Sequence, residues 1–215
     1  MAQKTLIQLM SSMAPHINGD VDVPTTGDDE YLLWQEALNQ AQDDWQDMDY
    51  DWPQLRKIST VTVLMSGTSV ALPSDFRKLR GNPDISGVLF PEVNPEEVYR
   101  FLSTDSFVTV DFNQNCLNIN PPQPTTAAMR IPYLGRATSL ATTTAVSPCP
   151  SDNFLVYRAA SKILLSRDDG KYVEFESKSD DLKQVMIGSS VHDDIQKDTR
   201  IKSKQELMGF TIGVS

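Results

Sequence analysis

Between about Asp28 and Met48 the apolar residues Tyr31, Trp34, Leu38, Ala41, Trp45 and Met48 recur at alternating three- and four-residue steps. That spacing places them on one face and predicts an amphipathic helix, with Tyr31, Trp34, Leu38 and Trp45 as its core. Gln35, Glu36, Gln42, Asp43 and Asp47 fall on the opposite face. Thr26 followed by Asp29 predicts a capping box, and acids in the first turn suit the positive end of the helix dipole. A shorter amphipathic helix, roughly Lys4 to Met13, precedes it, which leaves His16 in the following loop.

From Lys57 the period changes to two. Ile58 to Leu64, rich in Val, Thr and Ile, predicts a strand, and Gly67 marks the turn after it. Short strands are predicted at Ser69–Leu72, Val88–Phe90, Phe107–Phe112, Leu117–Ile119 and Ala128–Tyr133, with a helix at Pro95–Leu102 between them. Asn113, Gln114 and Asn115 form a hairpin turn. Helical spacing resumes after Pro148 and Pro150 with Phe154, Tyr157, Ala160 and Leu164, pauses at Gly170, and continues through Tyr172, Phe175, Leu182, Val185 and Met186. The fold class is therefore α+β: N- and C-terminal helices (residues 1–56 and 150–195), an antiparallel β domain between them (57–149), and an extended C-terminal tail (196–215).

The 215 residues carry a net charge of -10, unevenly spread. Up to Arg56 there are two basic residues against eleven acidic ones, whereas the tail is net positive through Lys197, Arg200, Lys202 and Lys204. The body has no basic stripe with which to grip a phosphate backbone. No apolar run reaches the roughly 20 residues of a membrane span, so no membrane partner is expected. The N-terminus reads as a helix and not a signal peptide, which predicts a protein that stays in the cytoplasm where it is made.

Chemistry is sparse. His16 and His192 are the only histidines, and Cys116 and Cys149 lack partners at metal-ligand spacing and read as two buried thiols. Asp47, Asp49 and Asp51 imitate the start of a calcium loop, but Trp52 stands where glycine is required and Ile58 where glutamate is required. No cofactor, metal or catalytic residue is expected, and the chain is read as a structural protein and not an enzyme. The tail residues Leu207, Met208, Phe210, Ile212 and Val214 are apolar beyond a basic linker, and suit a docking strand or helix, a frayed terminus, or a strand returning to the protein's own sheet.

Tyr50-Asp51-Trp52-Pro53, Val70-Ala71-Leu72-Pro73-Ser74-Asp75-Phe76-Arg77-Lys78-Leu79, Leu117-Asn118-Ile119-Asn120-Pro121-Pro122 and Met129-Arg130-Ile131-Pro132-Tyr133 together form a familiar series. It resembles the head-to-tail adaptor (neck or connector) proteins of tailed bacteriophages, over most of the chain and through turns and core positions. The resemblance implies a helical bundle with an inserted β domain, assembled as a ring, commonly a dodecamer, beneath the portal protein at the virion neck. Genomic DNA would pass through the lumen without specific binding, and a next neck or tail protein would lie below. It further implies a C-terminal segment reaching the portal, with Leu207, Met208, Phe210, Ile212 and Val214 as portal-docking anchors. The charge pattern suits a channel that DNA slides through, with Asp43, Asp44 and Asp47 facing the lumen. The competing readings are another neck component, such as a head-closure or tail-attachment protein, and a β-rich module that binds a host surface or ligand.

Overall fold

The computed structural model describes residues 3–48 and 50–189. The chain divides into two compact units, one comprising the chain up to Tyr50 and from Thr138 onward, the other Asp51–Ala137.

The first unit is helical. Its elements are α1 (Leu6–Ile17), α2 (Asp29–Gln46), α3 (Asp152–Ser166) and α4, helical over residues 172–189. Leu6, Leu9, Met10 and Met13 of α1, Trp34, Leu38, Ala41 and Trp45 of α2, and Phe154, Leu155, Ala159 and Ile163 of α3 are buried. These are the apolar stripes expected of amphipathic helices that share a core. Tyr31 is buried as well, completing the predicted α2 core.

Two local expectations are corrected. The α2 N-cap is Asp28, with no side-chain cap hydrogen bond, so Thr26 and Asp29 do not form a capping box. The reciprocal arrangement lies instead on α1, where the Gln8 side chain accepts from the Thr5 amide at 2.9 Å. And α1 runs through Pro15 to Ile17, which puts His16 in its last turn and not in a loop. A proline there forfeits one amide donor, and packing of the final turn against α3 and α4 outweighs that loss.

Residues 138–146 belong to this unit as a laced strap. Gln42 Nε2 donates to the Thr138 carbonyl (2.9 Å), Gln35 Nε2 to the Leu140 carbonyl (2.7 Å), and the Leu140 amide to Asn39 Oδ1 (2.7 Å). The Leu6 amide donates to the Ala145 carbonyl at 2.8 Å. Gln42 is thus buried, where the helical spacing had put it on the solvent face.

The second unit is a pair of antiparallel sheets. One has the order β1 (Arg56–Val63), β8 (Ala127–Gly135), β4 (Asp84–Ile85), β5 (Val88–Leu89), with β3 (Phe76–Leu79) also pairing with β8. The other is β2 (Ser69–Ala71), β7 (Cys116–Asn120), β6 (Phe107–Asp111). Alternation supplies the core: Met129, Ile131 and Tyr133 from β8 and Val63 from β1 meet Val70, Val108, Val110, Leu117 and Ile119 of the smaller sheet. The β6–β7 turn is tied by Asp111 Oδ1, which accepts from the Asn113 and Gln114 amides, and Asn115 takes the left-handed conformation at φ 50°. Pro95–Arg100 is a 3-10 helix, shorter and tighter than the helix expected there.

Candidate assembly surfaces

Neither histidine nor cysteine builds a reactive centre among the described residues. The His16 ring packs against Tyr157 and Phe175, at centroid distances of 5.5 and 5.1 Å. Burial, with the Lys178 charge adding to it, lowers its pKa below the ordinary value. His192 lies outside the described residues. Cys149 is buried, which pushes its thiol up to about 12, and Cys116 is half-buried, so only one of the two is the buried thiol expected. No group of three His, Cys, Asp or Glu among the described residues is placed to hold a metal ion. Asp51 instead pairs with Arg56 (3.1 Å) and Arg80 (2.8 Å).

The Leu72-Pro73-Ser74-Asp75-Phe76 turn is a staple within the β unit. Tyr133 Oη donates to Asp75 Oδ1 at 3.0 Å, Lys57 Nζ donates to Asp75 Oδ2, and the Arg136 amide donates to the Asp75 carbonyl at 2.6 Å. One carboxylate therefore joins β1, the start of β3 and β8. Burial alone would raise its pKa, but the Lys57 and Tyr133 hydrogen bonds outweigh it and hold the carboxyl below its ordinary range. The same burial and the bond to Asp75 push the Tyr133 phenol up to about 12. Phe76 stacks on Tyr133 at 5.7 Å.

The three acids expected at a channel wall occupy different environments. Asp43 is exposed and accepts from Gln46 Nε2 at 2.6 Å, and Asp47 is exposed at the α2 C-cap. Asp44 is half-buried and faces α3, where Arg158 Nε (2.6 Å) and Lys162 Nζ (3.1 Å) pair with it. Arg158 also reaches Glu176 of α4 at 3.4 Å. Burial opposes the guanidinium charge, yet Asp44 first, and Glu176 and Asp180 after it, raise its pKa. One arginine thus clasps α2, α3 and α4. Spacing alone could not show this, since Asp44, Arg158 and Glu176 are far apart in the chain.

α4 is anchored narrowly. Phe175, Ser179 and Met186 are its buried residues, Phe175 sits on Tyr157 at 5.9 Å, and the Lys178 ammonium lies over both rings at 5.1 and 5.7 Å. The opposite side of α4 exposes Val173 and Val185. On α2 and α3, Leu32, Leu33 and Leu165 are exposed, and Leu33 rims a shallow hollow floored by Ala37 and Ile163. In the β unit, Tyr99 of the 3-10 helix and Phe101 and Leu102 just after it are exposed. The tail positions Leu207, Met208, Phe210, Ile212 and Val214 lie outside the described residues.

The described residues thus form an α+β chain, with helical segments on either side of a β insertion in the sequence. The chain is a member of the SU10 adaptor protein family, whose model matches residues 4–193. That family makes it a phage adaptor, a component of the virion neck. No curated protein matches the sequence.

Proposed function

We propose that this adaptor is a non-enzymatic subunit of a ring, commonly twelvefold, that sits beneath the portal and joins capsid to tail, with DNA passing through its lumen. The family match over residues 4–193 carries the reading. The surface chemistry supports it. Asp43 and Asp47 remain exposed on α2 and suit a wall that repels phosphates, because like charges within a Debye length of roughly 8 Å at physiological salt still oppose approach. Asp44 is half-buried between α2 and α3 with Arg158 and Lys162, so the lumen role is assigned to its two exposed neighbours. The C-terminal segment is assigned to portal docking, with Leu207, Met208, Phe210, Ile212 and Val214 as anchors beyond the basic linker.

Mass measurement of the protein alone and mixed with portal protein tests this. A ring that forms only on mixing is the expected result, and truncation after Ile195 is expected to abolish portal binding. Failure to associate with portal rings at any ratio would sink the adaptor geometry, and a ring that carries Asp43 and Asp47 on its outer wall would sink the lumen assignment.

A further inference from the structure

The loop after α1 opens with Asn18-Gly19, the one Asn-Gly pair in the chain. Asn18 is the α1 C-cap, and both residues are exposed. Gly19 takes the left-handed conformation at φ 71°, and beyond its chain neighbours no heavy atom lies within 4 Å of where a Cβ would stand. Among the described residues nothing accepts from the Gly19 amide, whereas the Asn18 amide is tied to the Ala14 carbonyl at 3.0 Å. The Gly19 nitrogen is therefore free to turn while the residue before it is held. Asn82, Asn94 and Asn120 precede prolines, which have no amide proton to lose, and the remaining asparagines precede larger side chains that hinder a close approach of the following nitrogen.

The Asn18 side chain is held by a cation. Arg167 Nη1 donates to Asn18 Oδ1 at 3.1 Å, and Nη2 of the same guanidinium donates to Glu30 Oε1 at 2.6 Å. A guanidinium only donates, so it is the carboxamide oxygen that faces it. The bond polarises Asn18 Cγ, and it is aimed at the atom on which negative charge gathers when a nucleophile adds there. Glu30 in turn fixes the arginine.

We propose that Asn18 is a site of spontaneous deamidation, with Arg167 stabilising the oxyanion at Oδ1 and afterwards pairing with the carboxylate left behind. The Asn18 backbone turns from its ψ of -9°, and the Gly19 nitrogen, giving its proton to water, bonds to Asn18 Cγ. The tetrahedral oxyanion collapses and the Cγ–Nδ2 bond breaks, the leaving nitrogen taking a proton from water and departing as ammonia, and a cyclic imide remains. Water then opens the ring. Cleavage between the Gly19 nitrogen and Cγ gives an aspartate, and cleavage on the main-chain side gives an isoaspartate, whose chain runs on through Cβ and Cγ. Either product sets a carboxylate at the negative end of the α1 dipole, where Arg167 compensates it. The isoaspartate also inserts the Cβ methylene into the main chain between α1 and the loop to α2.

Full-length protein held at mildly alkaline pH, then digested and weighed by mass spectrometry, tests this, with isoaspartate separated from aspartate by its elution. The fragment carrying Asn18 is expected to turn acidic, in both forms, ahead of every other asparagine fragment. Arg167→Gln is expected to slow the change roughly tenfold, the worth of a hydrogen bond from a charged donor. Arg167→Lys, which keeps the charge beside Glu30 and Asn18, should fall between the two, and it decides the matter if Arg167→Gln melts earlier than the parent. A parent that keeps its amide for a time in which the guanidinium-unfolded chain loses it would overturn the proposal. So would equal or faster loss in the arginine variants at an unchanged melting temperature, which would make Arg167 a clamp on the side chain and not a promoter. Aspartate formed without isoaspartate would overturn the imide route.

Discussion

The Asp75 carboxylate takes hydrogen bonds from Lys57 and Tyr133, so the ionised form is the one the fold selects. Its folded pKa lies below the unfolded value of 3.8. The unfolded chain therefore binds more protons on acidification, and the stabilisation is complete above that value and lost as pH falls through the folded one. His16 works in the same direction at higher pH: half-buried, with burial and the Lys178 charge lowering its folded pKa below the ordinary 6.5, it loses stability as pH falls below that value. Urea unfolding followed from pH 7 to 3 should show two losses of stability. His16→Gln is expected to reduce the upper one and Asp75→Asn the lower, and a profile unaltered by Asp75→Asn would show that the staple contributes nothing. Gly135 closes the same staple sterically. A Cβ there would lie 2.9 Å from Asp75 Oδ2 and 3.0 Å from Lys57 Cδ, so Gly135→Ala must push the carboxylate off one of its donors. We expect a loss of about 1–2 kcal/mol in chemical denaturation, and little further loss when it is placed in an Asp75→Asn background.

At the level of elements, the helices were the most legible part of the chain, because burial against one core imposes a spacing that survives in the residue order. α2 and α3 follow that spacing closely. α1 was read short, since proline usually signals an end and only tertiary packing of His16 shows why it does not end the helix there. Among strands, β1, β6, β7 and β8 are long enough to show their alternation, whereas β3 was missed. Phe76-Arg77-Lys78-Leu79 follows a Pro-Ser-Asp turn and carries two charges, and its pairing with β8, from Phe76 opposite Gly135, has a register shift between Phe76 and Lys78 that breaks the alternation. β4 is two residues long and has no period to detect. Of the candidate site, the core aromatics of α2 could be read from spacing, but the compensation of Asp44 could not, because its partners come from helices more than a hundred residues later. That clasp makes a prediction of its own. Removing Arg158 leaves Asp44 half-buried, facing Lys162 alone, and takes Glu176 out of the network, so Arg158→Ala should cost about 1–3 kcal/mol. It should also raise hydrogen exchange in α4 ahead of global unfolding, since α4 buries few side chains of its own. Uniform exchange across α2, α3 and α4 in the variant would show that the arginine does not hold α4.

For the whole molecule, the question is what a subunit gains by leaving apolar residues in water. Leu33 is 39% exposed beside the hollow over Ala37 and Ile163, and Leu165 is 56% exposed on α3. Neither position completes a core, so the folded chain loses little if one is made polar: Leu33→Lys should shift stability by no more than about 0.5 kcal/mol. In the proposed ring, a position at the subunit contact would recur once per subunit, and a lysine buried there would carry an unpaired charge at each contact. Leu33→Lys is therefore expected to leave the melting temperature and the monomer mass of the free protein unchanged, while preventing ring formation on mixing with portal. Light scattering of the mixture reads the second quantity and calorimetry the first. A ring of full mass built from the lysine variant would move the subunit contact away from α2 and α3. In that case Tyr99, Phe101 and Leu102 of the β unit become the next surface to change, because they are exposed apolar residues close together in the chain.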